Sequence, residues 1–551
     1  MSLSRLSCEL AMTVEARVVD EPVARVMQLV QTASEPDRAG DYLNSAMFVE
    51  EHGERVRYSP ELSRWFVWNG SWWEEDRTEV VCDLARQTID GLRQWAGRAD
   101  SPGEFKSRAA HYKESSRAPR RDGMLAIART DRAVAVAVDD LDRHPHLLAC
   151  RNGTVDLRSG ELRAARGDDL LTRGVGLDFV PGAASEAWDR FLDTIFDGDH
   201  ELLGYVQRLA GYSATGEAGE HVLPIAYGTG ANGKTQFARA LQIILGEHAM
   251  MAPEGLLVQQ RNSQHEERKA VLRGRRLVIS DELEQRSTLA EGLVKSLTGA
   301  ARLSARHLYG RRFDFTPTHT IWLLTNFPPR VNGTDEAIWR RLRLVPFAVT
   351  IPVAERIPDY GSWLATEHGQ AILAWVVQGA VEYYANGLGE AEAVATATMG
   401  YRESEDTFQH FLEDSTVPIG GRTPVKQLRG AWTDWAKAND LRPGRDQDFV
   451  RALESHGVEV VGKRTRFAVG IGLLPGLSSD VHPLTPPAEK SPLVRVDGEV
   501  YDRGVLRGAS DFADELPRAI ESGYWSTSAA DDYMAGFEAE ADRFRAFEGD
   551  S

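Results

Sequence analysis

Cysteine is scarce in this chain. Its 551 residues include three, Cys8, Cys82 and Cys150, set far apart and forming neither a CxxC pair nor a Cys/His cluster. That spacing excludes a disulfide framework as the architecture and argues against a zinc site built mainly on cysteine. The thiols read as reduced and structural. Long apolar runs are also missing: none reaches the roughly 18 residues that suit a membrane span. Met1 to Asp20 mixes apolar residues with Glu9, Glu15 and Asp20. It lacks the basic segment and apolar stretch of a secretory signal, so the protein is expected to stay in a cytoplasm, away from membranes. No internal repeat is visible. Positive charge is in deficit, with 64 Lys and Arg against 82 Asp and Glu and a net charge of −18. Taken alone, this argues against a protein that coats nucleic acid passively.

What is present is ordinary globular chemistry, 42% hydrophobic and 26% charged, in a chain long enough for roughly three or four domains. The charge is unevenly placed. Arg261 to Arg312 holds 12 Lys/Arg against 6 Asp/Glu, whereas Tyr501 to Ser551 holds 5 against 12. A basic middle and an acidic tail result.

Residues 1–40 show weak periodicity and are expected to form a flexible terminus. Residues 41–185 read as an α+β region. Within it, Tyr58, Trp65, Phe66, Trp68, Trp72 and Trp73 alternate around Asn69-Gly70 like a β-hairpin. They are read as packed aromatic core in preference to a base-stacking platform. Residues 95–125 are polar and basic, suiting a loop or exposed helix. Thr154 to Leu157 is a short strand between turn signals. Trp188, Phe191, Leu192, Ile195, Leu202, Leu203 and Val206 recur at helical spacing, giving a helical collar over 186–219. Residues 220–355 alternate strand-like and helical stretches, the pattern of an α/β nucleotide-binding domain. A helical extension follows over 356–415. Residues 416–475 hold two amphipathic helices, Val425–Ala436 and Asp446–Ser455. A basic strand pair turns around Gly462-Lys463, with Arg464 beside it. This combination predicts a winged helix that contacts DNA. Residues 476–551, rich in Pro, Ser and acid, are expected to be largely disordered.

The strongest chemical signal is Gly228-Thr229-Gly230-Ala231-Asn232-Gly233-Lys234-Thr235, a complete GxxxxGK[ST] loop between a predicted strand, His221–Tyr227, and a predicted helix, Gln236–Leu245. Glycines let the backbone wrap phosphate with several N–H groups inward, and the helix N-terminus favours negative charge. Lys234 is expected to neutralise the β and γ phosphates of ATP, and Thr235 to ligate Mg²⁺. The strand Leu277–Ser280 then delivers Asp281 and Glu282, starting 47 residues after Lys234, at the end where such sheets bind ligands. Asp281 is assigned to Mg²⁺ and Glu282 to the attacking water. A third strand, Thr320–Thr325, ends at Asn326, whose amide could hold that water or simply form a turn before Pro328 and Pro329. Trp339-Arg340-Arg341-Leu342-Arg343 offers an arginine against the γ-phosphate of a neighbouring subunit. Arg341 is the first candidate and Arg340 the second; a solvated basic helix face is the alternative.

These elements, in this order, resemble superfamily 3 helicases, nearest to the helicase part of phage and plasmid primase–helicases and related to the poxvirus helicase–primase. GTGANGKT, VISDE, KSLTGAARLSARHLYG, LLTNFPP and WRRLRLVPF carry the resemblance. HPHLLACRNGTVDLRSGEL and AWDRFLDTIF upstream support it, and it covers roughly residues 40–475. It implies an α/β fold with an AAA+-type P-loop motor domain, and a homo-hexameric ring with ATP between subunits. It also implies 3′ to 5′ travel on single-stranded or forked DNA, and a DNA-contacting hairpin over Leu303–Phe315. Arg306, His307, Arg311 and Arg312 are the candidate contacts, with Lys295 near the site or the channel; a surface basic patch is the alternative. Ala300-Ala301 follow Thr298-Gly299 where the family usually has Gly-Asp. Residues 1–150 are too poor in clustered acids for a complete primase, so a separate primase or polymerase partner is expected. Two other readings compete with a replicative helicase: an ATP-switched initiator or loader, and a small-molecule P-loop kinase, against which the long flanking domains argue.

Overall fold

The N-terminal region folds around its aromatic residues. The computed structural model describes residues 39–259, 265–281, 287–306, 310–331, 336–439, 441, 443–474, 493–496 and 499–502, so the expected flexible terminus falls almost wholly outside them. A helix, α1 (Ala39–His52), precedes an antiparallel sheet β1 (Val56–Ser59), β2 (Arg64–Trp68) and β3 (Trp73–Glu75). Trp68 pairs with Trp73 across the Asn69-Gly70 turn. Trp73, Phe66 and Tyr58 are all buried, as expected for packed core.

Local signals set the helices that follow. α2 (Val80–Gly97) begins where the Asp76 carboxylate accepts from the N–H groups of Val80 and Val81, each at 2.9 Å. α3 (Pro102–Ser115) is capped by Ser101 Oγ, which accepts from Glu104 N at 3.2 Å, and has proline in its first position, where the missing N–H costs nothing. α4 (Ala118–Ala128) completes this helical stretch. A second small sheet has the order β6 (Glu161–Arg163), β5 (Gly153–Asp156), β4 (Leu147–Cys150), β7 (Gly174–Val175). Burial pushes the Cys150 thiol up to about 12, so it is an inert core residue.

The collar is the pair α5 (Glu186–Ile195) and α6 (His200–Ala214), capped by Ser185 and Asp199. Trp188, Phe191, Leu192 and Ile195 bury one face of α5.

The central sheet follows: β8 (Leu223–Tyr227), α7 (Lys234–Leu245), β9 (Ala249–Met251), α8 (His265–Ala270), β10 (Leu277–Ser280), α9 (Glu291–Gly299), the hairpin β11 (Leu303–Arg306) and β12 (Arg312–Phe315), β13 (Thr320–Thr325), α10 (Glu336–Trp339) and β14 (Leu342–Pro346). Its five strands are all parallel in the order β14-β8-β13-β10-β9. Apolar residues alternate between two cores. Leu277, Ile279, Trp322, Leu324 and Val345 join α5, α6 and α7 on one face. Val278, Ile321, Leu323, Leu342 and Leu344 join α9 and the hairpin on the other. Strands buried on both faces read as continuous apolar runs for this reason.

α11 (Tyr360–Glu367), α12 (Gly369–Asn386) and α13 (Glu392–Glu405) complete this unit, which ends at Glu405. α6 and α12 cross with backbones touching: a Cβ on Gly211 would lie 2.0 Å from Ala380 N, and one on Gly379 would lie 2.1 Å from Gln207 O. Fully buried Arg276 donates to Ala214 O at 2.9 Å and Leu147 O at 2.7 Å, fastening sheet to collar and N-terminal region.

The second unit starts at Asp406, about ten residues before the expected boundary at 416. Its first helix, α14 (Thr407–Ser415), contributes Phe408 and Phe411 to the same core as Leu428, Trp432 and Phe449. Around that core lie α15 (Val425–Ala438), α16 (Asp446–Ser455) and an antiparallel sheet of order β15 (Thr416–Pro424), β17 (Phe467–Leu473), β16 (Val460–Val461). The expected disordered tail contains an antiparallel pair, β18 (Leu493–Val496) with β19 (Glu499–Asp502). Its sequence signal is a β-branched run on either side of Asp497-Gly498, outweighed in the sequence reading by acidic composition. The rest of 476–551 lies outside the described residues.

Candidate functional site

The sheet order creates a crevice. From β8 the chain runs out to β9, returns inward through β10 and β13, then crosses to β14 on the other side of β8. Connections leave β8 and β13 in opposite directions, and the carboxyl ends of such neighbours are where open α/β sheets bind ligands. Tyr227 is level with Thr325 and with Pro346, and Ser280 with Leu323. Residues just after β8, β10 and β13 therefore share one edge.

The Gly228–Thr235 loop leaves β8 at that edge. Close approach fixes two of its glycines. A Cβ on Gly228 would lie 2.3 Å from Phe347 O, and one on Gly233, whose φ is +84°, would lie 2.4 Å from Ile195 Cγ2 in the collar. Asn232 is buried and donates from Nδ2 to Phe347 O at 3.1 Å. Ile351 N donates to Ala231 O at 2.8 Å. The segment after β14 thus holds the loop from outside, and Asn232 braces it. The crest of the loop, Thr229 and Ala231, is exposed. α7 starts at Lys234 without a side-chain cap, leaving its first-turn N–H groups to the loop mouth.

Lys234 is 5% exposed. Its Nζ donates to Asn326 Oδ1 at 2.5 Å and to Gly228 O at 3.3 Å. A residue at the start of a helix and one 92 positions later meet at the crevice. Thr235 and Asp281 are exposed near the same edge. Both offer oxygen donors, the chemistry a hard divalent cation takes. Glu282 lies outside the described residues, as does His307.

The two arginines after α10 differ. Arg341 is 7% exposed. Its Nε donates to Thr298 Oγ1 at 3.1 Å and its Nη1 to Ala337 O. Arg340 is exposed. Of the two candidates, Arg341 is held within its own chain and Arg340 is the exposed one.

Residues 45–197 match the family described as D5 N terminal like, and residues 226–341 match a family of unknown function. A protein named as a helicase from Acanthamoeba polyphaga mimivirus is 26% identical over 326 residues, 54% of this chain and 34% of that protein. One named as a helicase from Frog virus 3 is 24% identical over 419 residues, 59% of this chain and 42% of the relative. A protein named as a primase from African swine fever virus is 22% identical over 334 residues, 55% of this chain and 34% of the relative. These matches make the chain similar to phage and viral primase–helicases. The chain spans between about a third and two fifths of the length of these relatives. The solved NrS-1 C-terminal region aligns over 75% of this chain and 95% of its own length, at 10% identity and a TM-score of 0.41.

The hairpin β11–β12 has the antiparallel form expected for Leu303–Phe315. Leu303 and Ala305 are buried while Ser304 and Arg306 are exposed. Arg306 sits directly opposite Arg312, a like-charge pair that disfavours the strand pairing. Arg312 is offset by an ion pair with Glu266 of α8. Arg311 is exposed, and Lys295 is half-buried on α9. Lys463 and Arg464 lie exposed between β16 and β17. Among the described residues no helix is long and apolar enough to cross a membrane.

The sequence reading missed the bracing of the loop by Phe347, Ile351 and Ile195. Nothing at those positions signals it, because contact across the fold makes it. It also left Arg273 and Arg275 unassigned, although both stand in the basic middle of the chain.

Proposed function

We propose that this chain is an ATP-driven DNA helicase of phage, plasmid or viral replication, acting as a homo-hexameric ring on single-stranded and forked DNA. The observation that carries the reading is the meeting of Lys234 with Asn326 at the crevice between β8 and β13. The strand order, with the first strand between the last two, suits an AAA+-type P-loop motor.

ATP phosphates would lie in the Gly228–Thr235 loop, over the uncapped start of α7. Lys234 would turn from Asn326 toward the β and γ phosphates, leaving the Asn326 amide to orient the attacking water. Thr235 and Asp281 would hold Mg²⁺, which when bound spreads phosphate charge. Glu282 would polarise the water. Arg340, exposed beside the last strand, would reach the γ-phosphate of the adjacent subunit. Hydrolysis would be read out by the β11–β12 hairpin, where Arg306, Arg311 and Arg312 hold the DNA backbone with Lys295 nearby. The C-terminal unit would act as a winged helix, with Lys463 and Arg464 at its wing.

The test is strand displacement on a forked duplex with ATP, comparing wild type with Glu282→Gln. Unwinding by wild type alone supports the helicase. Intact hydrolysis without unwinding transfers the reading to an ATP-switched initiator or loader, or to a motor that needs a primase partner.

A further inference from the structure

One cleft in the first unit lies away from the ATP crevice. It encloses about 1240 Å³ between the β2–β3 region, the segment around Asp142 and the start of the strand β10. Arg77, Arg173, Arg273, Arg275 and Arg302 all line it. They come from distant parts of the sequence, so the fold gathers them.

Carboxylates line the cleft too, but several are committed to neighbours. Asp142 accepts from Thr172 N at 2.7 Å and pairs with Arg173 at 3.4 Å, Glu75 pairs with Arg64 at 2.6 Å and with Arg77 at 3.5 Å, and Glu74 accepts from Asn69 at 2.7 Å, which leaves Arg273 and Arg275 as the uncompensated members. Among the described residues neither Arg273 nor Arg275 has a carboxylate within ion-pair distance. Arg275 donates to Glu247 O, and its Nε is buried with no hydrogen-bond partner among the described residues. Arg173 adds a third guanidinium, 3.4 Å from Arg273 O. Burial holds the pKa of Arg273 and Arg275 below the usual arginine range, and the Arg173 charge lowers Arg275 further. Like charges held together and partly out of water are costly unless an anion compensates them.

The cleft is also continuous with the hairpin. Arg302 immediately precedes β11, Phe315 at the end of β12 lines the cleft, and the Arg273 guanidinium lies 5.3 Å from the centroid of the Phe313 ring in β12. A ligand running from the hairpin into the cleft would need anionic charge at repeated intervals, which a phosphodiester backbone supplies.

We propose that this arginine cleft is a second nucleic-acid site, holding the backbone of the single DNA strand beyond the β11–β12 hairpin. The proposal rests on the DNA reading given above. It adds a binding surface outside the motifs from which that reading came.

The test is fluorescence anisotropy of a labelled oligothymidylate across a salt series, with Arg273→Ala/Arg275→Ala. A second variant, Arg77→Glu/Arg302→Glu, alters exposed side chains only and guards against misfolding of the first. Affinity at low salt is expected to fall about tenfold or more in each, with basal ATP hydrolysis unchanged. The slope of log affinity against log salt should become shallower by about 0.7 for each phosphate no longer neutralised. Wild-type affinity and slope in both variants would overturn the cleft proposal. If an Arg306→Ala/Arg311→Ala variant then still loses binding, the helicase reading survives that failure. No binding of the oligonucleotide by wild type would overturn both.

Discussion

Lys234 Nζ donates to Asn326 Oδ1 across 2.5 Å. The amide oxygen occupies the ammonium that the phosphates would claim, so the two roles are coupled. Asn326→Asp would replace a neutral acceptor with a carboxylate, pinning Lys234 in an ion pair and setting negative charge beside the γ-phosphate. Nucleotide affinity is expected to fall about tenfold or more, a cost on the order of 1.4 kcal/mol. Asn326→Ala should bind nucleotide nearly as wild type while losing kcat. Titration of a fluorescent ATP analogue, alongside turnover, separates the two; equal affinity in Asn326→Asp would sink the coupling.

Arg340 and Arg341 should respond differently to alanine. Arg341→Ala removes buried donors to Thr298 and Ala337, and is expected to cost stability by about 2 kcal/mol. Arg340→Ala should leave Tm unchanged and reduce hydrolysis on the order of 10³-fold. Mixing Arg340→Ala with Lys234→Ala subunits should restore part of the activity, since both defects can then fall on one interface and leave the next intact. A stable, inactive Arg341→Ala beside an active Arg340→Ala would return the role to Arg341.

The hairpin makes a kinetic prediction. Arg306→Ala/Arg311→Ala should lower DNA-stimulated ATP turnover by about tenfold, with basal turnover within about twofold of wild type, because both side chains are exposed on or beside the hairpin and belong to none of the phosphate-binding elements. Turnover with and without oligothymidylate checks this. Equal loss of both rates would make the hairpin structural.

His319 predicts an acid-sensitive fold. Burial holds its pKa down to about 4, against an opposing pull from the backbone of Leu297. The ring is therefore neutral when folded, while the unfolded chain takes a proton near pH 6.5. More protons bind to the unfolded state in that window, so the stability is present above about pH 6.5 and is lost as pH falls toward 4. His319→Leu should remove about 2 kcal/mol of the wild-type loss between about pH 7 and pH 5. Urea unfolding at both values measures it; an unchanged difference would show that the ring is not neutral in the fold.

The crossing of α6 and α12 predicts a severe packing mutant. Gly211→Val places side-chain carbons where Ala380 backbone already lies, and should cost about 3 kcal/mol or more through forced separation of the helices. Thermal unfolding checks it, with surface Gly219→Val, whose Cβ would meet nothing within 4 Å, as the control.

Sequence determined what depends on short range. The Gly228–Thr235 loop, the strand before Asp281 and the strand before Asn326 were all legible, because phosphate loops and buried strands impose local spacing. The family resemblance was legible for the same reason: it rests on those spaced motifs. Tertiary structure decided the rest. It set the strand order that brings Lys234 to Asn326, turned Arg341 inward and left Arg340 outside. It assigned α14 to the second unit through the burial of Phe408 and Phe411, and gathered Arg77, Arg173, Arg273, Arg275 and Arg302 around one cleft. Neighbouring arginines are chemically alike in a sequence, and only the packing around each fixes which one keeps its donors for its own chain and which one faces outward.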